Sequence, residues 1–592
     1  MLTCPACGKG NPAEASFCMA CGARLAAGAT TPDPAPSTPL ELERQEGSST
    51  RASDRKPVTI VFADVVGSTA LAETMDPEEW RGVISLAFAR IAPVVDRYEG
   101  TIARILGDAL LIYFGAPVAH EDDPVRAIRA SLDLLDVVRE VGAEIQARFG
   151  VHLQMRVGIN TGLVVVGDLG SDLGSDMASE YLALGDAINL AARIEATAEP
   201  MTVYVSDDTR RLAEPMFEWV DRGRFDLKGK SEPIRMWQVV GRRDGQTAMR
   251  GFADIRAPMV GRDADLDRLL ATTEALERDR KGAIATITGE PGIGKTRLVS
   301  EWRERVMRGP DPPAWITASC VSYGRRLSYH VVVDLLRSAI GSGESMGPQE
   351  MRSLLSAAAV RYLDSSLEAE AVLADLLSLS LALEEEQIVH ALDSQARQAR
   401  YLTAISDLLR HRAAERPMVA LIQDVHWADP TSVLFLRRLL PLSAAAPILF
   451  CLTSRPDFDA PVWPLLSEVG AIAEAPVVGI ELDRLAADDA GALVHALLDA
   501  AGIPRADEAS LLAHAEGNPF FAEELVRMII DKTGEGGASL SGTFDGEIPA
   551  TIHGLLLARL DTLPAPARRT ARLASVVGRR FSTQLLEEVR PG

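Results

Sequence analysis

The stretch VFADVVGSTALAE, Val61 to Glu73, carries an apolar run into an aspartate, Asp64, and then into a glycine followed by two hydroxyl residues. A carboxylate at the end of a buried strand costs free energy unless something pairs with it, and a divalent cation is one such partner. A second aspartate, Asp108, stands in LGDALLIYFG at what reads as the tip of a hairpin. Neighbouring strands would bring both carboxylates onto one ion site. Mg2+ or Mn2+ bound to a triphosphate suits such a pair, because these hard cations take oxygen ligands and share them with substrate phosphates. The loop after Asp64 then offers backbone N–H groups and a helix N-terminus to those phosphates. Taken singly, each aspartate has a plainer reading, as an N-cap or as a turn residue.

A second constellation lies in AIATITGEPGIGKTRLVSEW, which contains GxxxxGKT as Gly289, Gly294, Lys295 and Thr296, with Gly292 inside the loop. An alternating apolar strand precedes it and a helix follows, the context this motif requires. The glycines let backbone N–H groups surround phosphates, Lys295 reaches the β and γ oxygens, and the Thr296 hydroxyl coordinates Mg2+. Downstream, PMVALIQDVHWADP is an apolar strand ending at Asp424, a carboxylate for the same Mg2+ or its water ligands. PILFCLTSRPD gives another strand ending at Arg455, close to where a γ-phosphate sensor would sit.

Four of the six cysteines fall within the first 21 residues, Cys4 and Cys7 as one CxxC and Cys18 and Cys21 as another. Each pair is followed by a glycine that lets the backbone turn around an ion, which is knuckle geometry for tetrahedral Zn2+. With almost no apolar residues between the pairs, metal binding has to supply the stability of this segment. A redox or disulfide pair is the alternative. Cys320 and Cys451 stand alone in apolar contexts and read as buried thiols.

The elements that must position these groups follow from periodicity. PVTIVFADV reads as a strand, DPEEWRGVISLAFARIAPVVDRYEG as a helix with its N-cap aspartate, ARILGDALLIYFG as a hairpin around Gly107 and Asp108, and LQMRVGINTGLVVVGDLG as a further strand. The expected organisation is a zinc ribbon over 1–25, a flexible Ala/Pro/Ser/Thr-rich tether over 26–55, an α+β domain over 56–241, a P-loop α/β domain over 258–480 and a helical or winged-helix extension over 481–592. At 592 residues the chain exceeds a single core. A formal net charge of −22 disfavours a general binder of nucleic acid or anionic membrane. No apolar run of membrane-spanning length and no signal peptide is evident, so a cytoplasmic protein is expected.

The segment 56–241 resembles the catalytic domain of class III nucleotide cyclases, on FADVVGST, LGDALLIYFG, RVGINTG and LGDAINLAARIEA in that order. The resemblance implies a ferredoxin-like fold and the conversion of a nucleoside triphosphate to its 3′,5′-cyclic monophosphate and pyrophosphate. It makes Asp64 and Asp108 the ligands of two Mg2+ or Mn2+ ions. Asn189 and Arg193, four apart on one helix face, match the pair that orients the ribose and stabilises charge at the α-phosphate. Lys228 matches a phosphate-contacting lysine, with Lys230 as the alternative. Because the family takes its metal ligands from one subunit and the Asn/Arg pair from the other, a homodimer is implied.

Two departures concern the base. Where many adenylyl cyclases carry a lysine this chain has Arg104, and where an aspartate or threonine often accepts from the adenine amine it has Leu182. Arg104 can still donate to a purine ring nitrogen, whereas Leu182 cannot accept. Guanine would want an acidic or amide partner for its N1 and N2 hydrogens, and neither position supplies one. ATP is the substrate that family frequency favours.

The region from 258 resembles the signal-transduction ATPases of the P-loop class, on VGRDADLDRL, the phosphate loop, QDVHWADP, TSRPD and GNPFFAEEL. This implies ATP held by Gly289, Gly292, Gly294, Lys295, Thr296, Asp424 and Arg455. Gln423 replaces a second acid often found beside Asp424, which supports nucleotide binding better than rapid turnover. The combined expectation is an adenylate cyclase gated by a C-terminal ATP-binding switch, with the ribbon or the C-terminal region leaving room for a further protein partner. The alternatives are a regulatory ATPase or scaffold that keeps a weak cyclase fold for pairing, and a guanylate cyclase. DNA-binding regulation gains little from an acidic chain with no evident recognition helix.

Overall fold

Val58 and Ile60 project to one side of a strand and Val61, Ala63 and Val65 to the other, all buried, so this period-two segment must lie between two layers. The computed structural model describes residues 2–3, 10–11, 54–168, 181–184, 186–227, 233–243, 258–342, 346–503 and 508–534, with isolated positions between 556 and 575. The chain divides into two units, Met1–Arg51 and Ala52–Gly592. In the first, strands β1 (Leu2–Thr3) and β2 (Gly10–Asn11) pair antiparallel. The four cysteines there, the tether 26–55 up to Asp54, and most of the C-terminal tail lie outside the described residues.

The second unit opens with an eight-stranded sheet of β3 (Asp54–Val65), β4 (Thr101–Leu106), β5 (Ala109–Phe114), β6 (Met155–Asp168), β7 (Tyr181–Leu184), β8 (Val203–Ser206), β9 (Phe217–Phe225) and β10 (Ile234–Arg242). Their order is β4-β5-β3-β6-β8-β10-β9, with β7 also on β6. Only β6 and β8 run parallel, so the mixed pairing matches the α+β expectation. Helices Pro77–Arg97 and Asp123–Phe149 cover one face, where Val83, Ile91, Ile128 and Leu134 meet Val61 and Ala63. Helix Asp186–Thr197 lies on the other face, with Ala191 against Val58 and Ile60. The side chain of Asp76 accepts from the Glu78 N–H at 2.9 Å and so starts the first of these helices where the sequence places its N-cap.

A five-stranded parallel sheet follows, β11 (Ala283–Gly289), β12 (Ala314–Ser319), β13 (Met418–Gln423), β14 (Ile448–Ser454) and β15 (Val477–Leu482), in the order β12-β13-β14-β11-β15. Its strands read as continuous apolar runs because both faces are covered. In β14, Phe450 and Leu452 enter one core while Leu449 and Cys451 enter the other. Burial pushes the Cys451 thiol up to about 12 and raises Cys320 as well, so both behave as packing residues. Helices Ala487–Ala501, Glu508–Ala515 and Pro519–Gly534 then share a core of Leu493, Leu497, Leu511 and Val526. Among the described residues no helix is long and apolar enough to cross a membrane.

Candidate functional site

Asp64 sits one residue from the end of β3, opposite Ala109 of β5 and Arg156 of β6. Ala109 directly follows the Gly107–Asp108 turn, where Gly107 takes a φ of +70° that an L side chain rarely adopts. The register therefore sets the two half-buried aspartates side by side. Burial first, and the Asp108 charge second, push the Asp64 carboxyl above its usual range, against the pull of Arg156. Two carboxylates under mutual repulsion form an oxygen donor set that a divalent cation would relieve, so the residues fit Mg2+ or Mn2+. Among the described residues no group of three or more His, Cys, Asp or Glu gathers as a metal site.

Arg156 was not among the site residues expected from sequence. Its Nη2 lies 3.5 Å from Asp64 Oδ2, and its Nε donates to Glu195 Oε1 at 2.5 Å. Glu195 belongs to helix Asp186–Thr197, so this arginine ties β3, the strand of Asp64, to the helix that carries Asn189 and Arg193. The glycines of RVGINTG let that helix lie against β6. A Cβ on Gly158 would stand 2.1 Å from the Glu195 backbone nitrogen, and one on Gly162 would stand 2.8 Å from Ala187 Cβ. The motif is thus a helix-packing device as well as a family mark.

Asn189 is exposed, and Arg193 is half-buried with a sheltered Nη1 that has no hydrogen-bond partner. Among the described residues no hydrogen bond or ion pair joins either to Asp64 or Asp108. Arg104 is exposed on β4 beside a register shift. Leu182 lies opposite Gly167 in the β6–β7 pair. Lys228 and Lys230 fall outside the described residues.

The second site is assembled at the carboxyl ends of β11, β13 and β14. Gly292 and Gly294 take φ of +76° and +104°, and helix Lys295–Met307 starts at once. A Cβ on Gly294 would meet nothing within 4 Å, so the loop opens on space at the helix N-terminus, a cradle that fits phosphate. The Lys295 Nζ donates to the carbonyls of Gly289 at 2.7 Å and Glu290 at 3.0 Å, while Thr296 is exposed. Asp424 holds a left-handed φ of 54° and donates its N–H to Thr453 Oγ1 at 2.9 Å. Gln423 accepts from Ser319 Oγ at 3.2 Å. The loop is clamped from GNPFFAEEL, where Asn518 Nδ2 donates to the Pro291 carbonyl at 3.1 Å and the Phe520 N–H to that of Gly292 at 3.2 Å. The sequence marked that motif without assigning Asn518 this contact.

Arg455 follows β14 and lies across from Gly289, since Thr288 pairs with Ser454. Its guanidinium is engaged bidentately by Glu121, Nη1 to Oε1 at 2.7 Å and Nη2 to Oε2 at 2.6 Å. Glu121 belongs to the first sheet domain, in the loop before helix Asp123–Phe149.

Models of known families match three stretches of the chain. A zinc-ribbon domain model matches residues 3–25, a model described as adenylate and guanylate cyclase catalytic domain matches residues 50–241, and an AAA ATPase domain model matches residues 258–451. An uncharacterized protein of Rhizobium meliloti (strain 1021) is 28% identical over 555 residues, covering 93% of this chain and 51% of its own length. A receptor-type guanylate cyclase of Caenorhabditis elegans is 27% identical over 219 residues, 37% of this chain and 16% of that protein. The chain thus spans about half the length of the first relative and much less of the second. The crystal structure of the adenylyl cyclase CyaB from P. aeruginosa is 28% identical with a TM-score of 0.31, covering 32% of this chain and 97% of that one. The chain combines, in this order, a zinc ribbon, a class III adenylate/guanylate cyclase catalytic domain and an AAA ATPase domain.

Proposed function

We propose that the protein is an adenylate cyclase, converting ATP to 3′,5′-cyclic AMP and pyrophosphate at a site shared by two copies of the chain, under control of its ATP-binding domain. The observation that carries this reading is the Asp64–Asp108 pair, two half-buried acids that the β3–β5 register sets side by side, with burial first and the Asp108 charge second raising Asp64. Asp64 and Asp108 would hold two Mg2+ or Mn2+ ions, which would supply Lewis-acid polarisation of the triphosphate that the carboxylates alone would repel. Asn189 of a second copy orients the ribose so that its 3′-oxygen meets the α-phosphorus in line. Arg193 of that copy takes up negative charge on the α-phosphoryl oxygens, and Lys228 holds the phosphates of the leaving pyrophosphate.

Shared sites explain why Asn189 faces solvent within one chain. Ile105 and Leu106, large exposed apolar side chains immediately before the Gly107–Asp108 turn, support a partner surface there. The preference for ATP is the one family frequency favours; Arg104 and Leu182 offer no acceptor to guanine N1 and N2 hydrogens, and Leu182 offers none to the adenine amine. The four ribbon cysteines would hold a structural Zn2+, and the P-loop ATP with Mg2+.

Incubating purified protein with ATP or GTP plus Mn2+, beside the Asp64→Ala variant, tests the proposal. Cyclic AMP that vanishes in the variant is expected. Faster cyclic GMP formation would overturn the base assignment, and no cyclic nucleotide from either substrate would favour the regulatory ATPase.

A further inference from the structure

The two large domains of the second unit meet along a seam built from buried groups. Tyr323, in the turn Ser322–Arg326 that follows β12, sits in the core of the cyclase domain with its ring 4.8 Å from that of Tyr98. Its hydroxyl accepts from Arg129 at 2.5 Å. Beside it the fully buried Arg126 donates to Asp122 at 2.8 Å, to Glu99 at 2.6 Å and to Ser322 Oγ at 2.6 Å, and Ser322 Oγ donates to the other Asp122 oxygen at 2.7 Å. One residue before Asp122, Glu121 reaches past this anchor and takes Arg455.

Arg455 is special among the seam residues. It stands at the carboxyl end of the strand next to the phosphate loop, near Asp424 and over the Trp427 ring at 5.7 Å. A planar guanidinium engaged by two carboxylate oxygens is the geometry it would offer to two oxygens of a phosphate. Both partners are largely withdrawn from water, with side chains 24% and 15% exposed, so the pair is not an incidental surface contact.

We propose that Glu121 of the cyclase domain is an internal competitor of the ATP γ-phosphate for Arg455. With no triphosphate at the loop, Glu121 occupies the guanidinium and holds the start of helix Asp123–Phe149 against the ATPase. A γ-phosphate captures Arg455 and frees Glu121, while Tyr323 and Ser322 keep the domains attached. The signal then enters the cyclase through the helix that packs on β3, the strand carrying Asp64. A nucleoside diphosphate lacks the competing group and leaves the pair intact. The mechanism thus reads the phosphate count at the loop. No covalent bond is made or broken, and the switch needs only differential affinity of ATP for the released state.

This inference rests on the reading of the P-loop as an ATP site, and the test separates the two. Fluorescent ATP and ADP analogues are titrated onto the 592-residue chain carrying Asp64→Ala, which removes the metal carboxylate of the proposed cyclase site, with and without Glu121→Gln. Lys295→Ala added to the Asp64→Ala background identifies the P-loop component. Glu121→Gln should tighten ATP about tenfold and leave ADP unchanged, because only the triphosphate competes. Hydrogen exchange over residues 120–126 provides a second readout: ATP should accelerate it, ADP should not, and Glu121→Gln should show fast exchange without nucleotide. ATP and ADP affinities that both move together, or neither, with Lys295-dependent binding intact, would overturn the competitor and spare the ATP site. Binding insensitive to Lys295→Ala would overturn the ATP site itself, and the competitor with it.

Discussion

The two nucleotide-handling regions are encoded in opposite ways. The phosphate loop is contiguous: Gly289 to Thr296 supply strand end, turn and helix start within one short segment. The cyclase site is dispersed. Asp64 and Asp108 meet only because β3 and β5 pair in one register, and Asn189 and Arg193 ride a helix linked to Asp64 through Glu195 and Arg156, with no hydrogen bond or ion pair of their own to either acid among the described residues. A local site can be occupied as soon as its domain folds, whereas a dispersed one depends on register and helix seating and, if the proposed shared site holds, on assembly, each a place where control can act.

The largest expected effect breaks the comparison at assembly. Asp64→Ala alone should lower cyclase turnover on the order of a thousandfold, and Asn189→Ala should lower it strongly as well. Mixed in equal amounts and allowed to exchange, the two inactive variants should recover about a quarter of the wild-type rate, because half of the dimers are mixed and each of those holds one intact site. Cyclic nucleotide production by the mixture is the measurement. No recovery under conditions where subunits demonstrably exchange would mean that the four groups serve within one chain.

A second effect attacks helix seating. Gly158→Ala places a Cβ 2.1 Å from the Glu195 nitrogen and 2.6 Å from the Ala191 carbonyl, both backbone atoms that no rotamer change can move. The cyclase domain should lose about 3 kcal/mol, read as a lower denaturant midpoint. Gly241→Ala, where a Cβ meets nothing within 4 Å, is the control and should be near neutral. Equal losses at both positions would remove the close helix approach as the reason for the glycine.

These contrasts also explain what was legible in the residues alone. The phosphate loop and the Asp64–Asp108 pair were readable because strand ends and tight turns leave local marks, glycine at positive φ and an acid after an apolar run. Arg156 was written in a quoted motif, yet its role needs the β3–β6 register that puts it opposite Asp64. Asn518 needed the return of a helix to Pro291, 227 positions away. Glu121 stands 334 residues from Arg455, and EDDP before a helix reads as a start signal and nothing more. Pairings set by domain docking have no local pattern.

The smallest predicted effect concerns the loop where the two regions touch. Burial would push His120 down, but its hydrogen bonds to Asp123 and Glu99 outweigh that and raise it to about 9, while the same cluster lowers Glu99 to about 2. For a raised histidine, the folded state binds the proton more tightly than the unfolded chain. Its stabilisation is therefore complete below the unfolded value near 6.5 and is lost as pH climbs through about 9. The lowered Glu99 acts at the other end: its contribution holds above about 4.5 and disappears as pH falls through about 2. Between pH 6 and 9.5 the His120 cluster should cost the fold about 2 kcal/mol, seen as a falling urea midpoint. His120→Gln should flatten that slope, leaving the low-pH limb from Glu99 in place. If the slope persists in the variant, the alkaline loss originates elsewhere and the seam is held without the imidazolium. If the slope flattens, the loop that presents Glu121 to Arg455 is itself pinned by a charge cluster, and the ATP preference of the Glu121 switch should then weaken in parallel above pH 9.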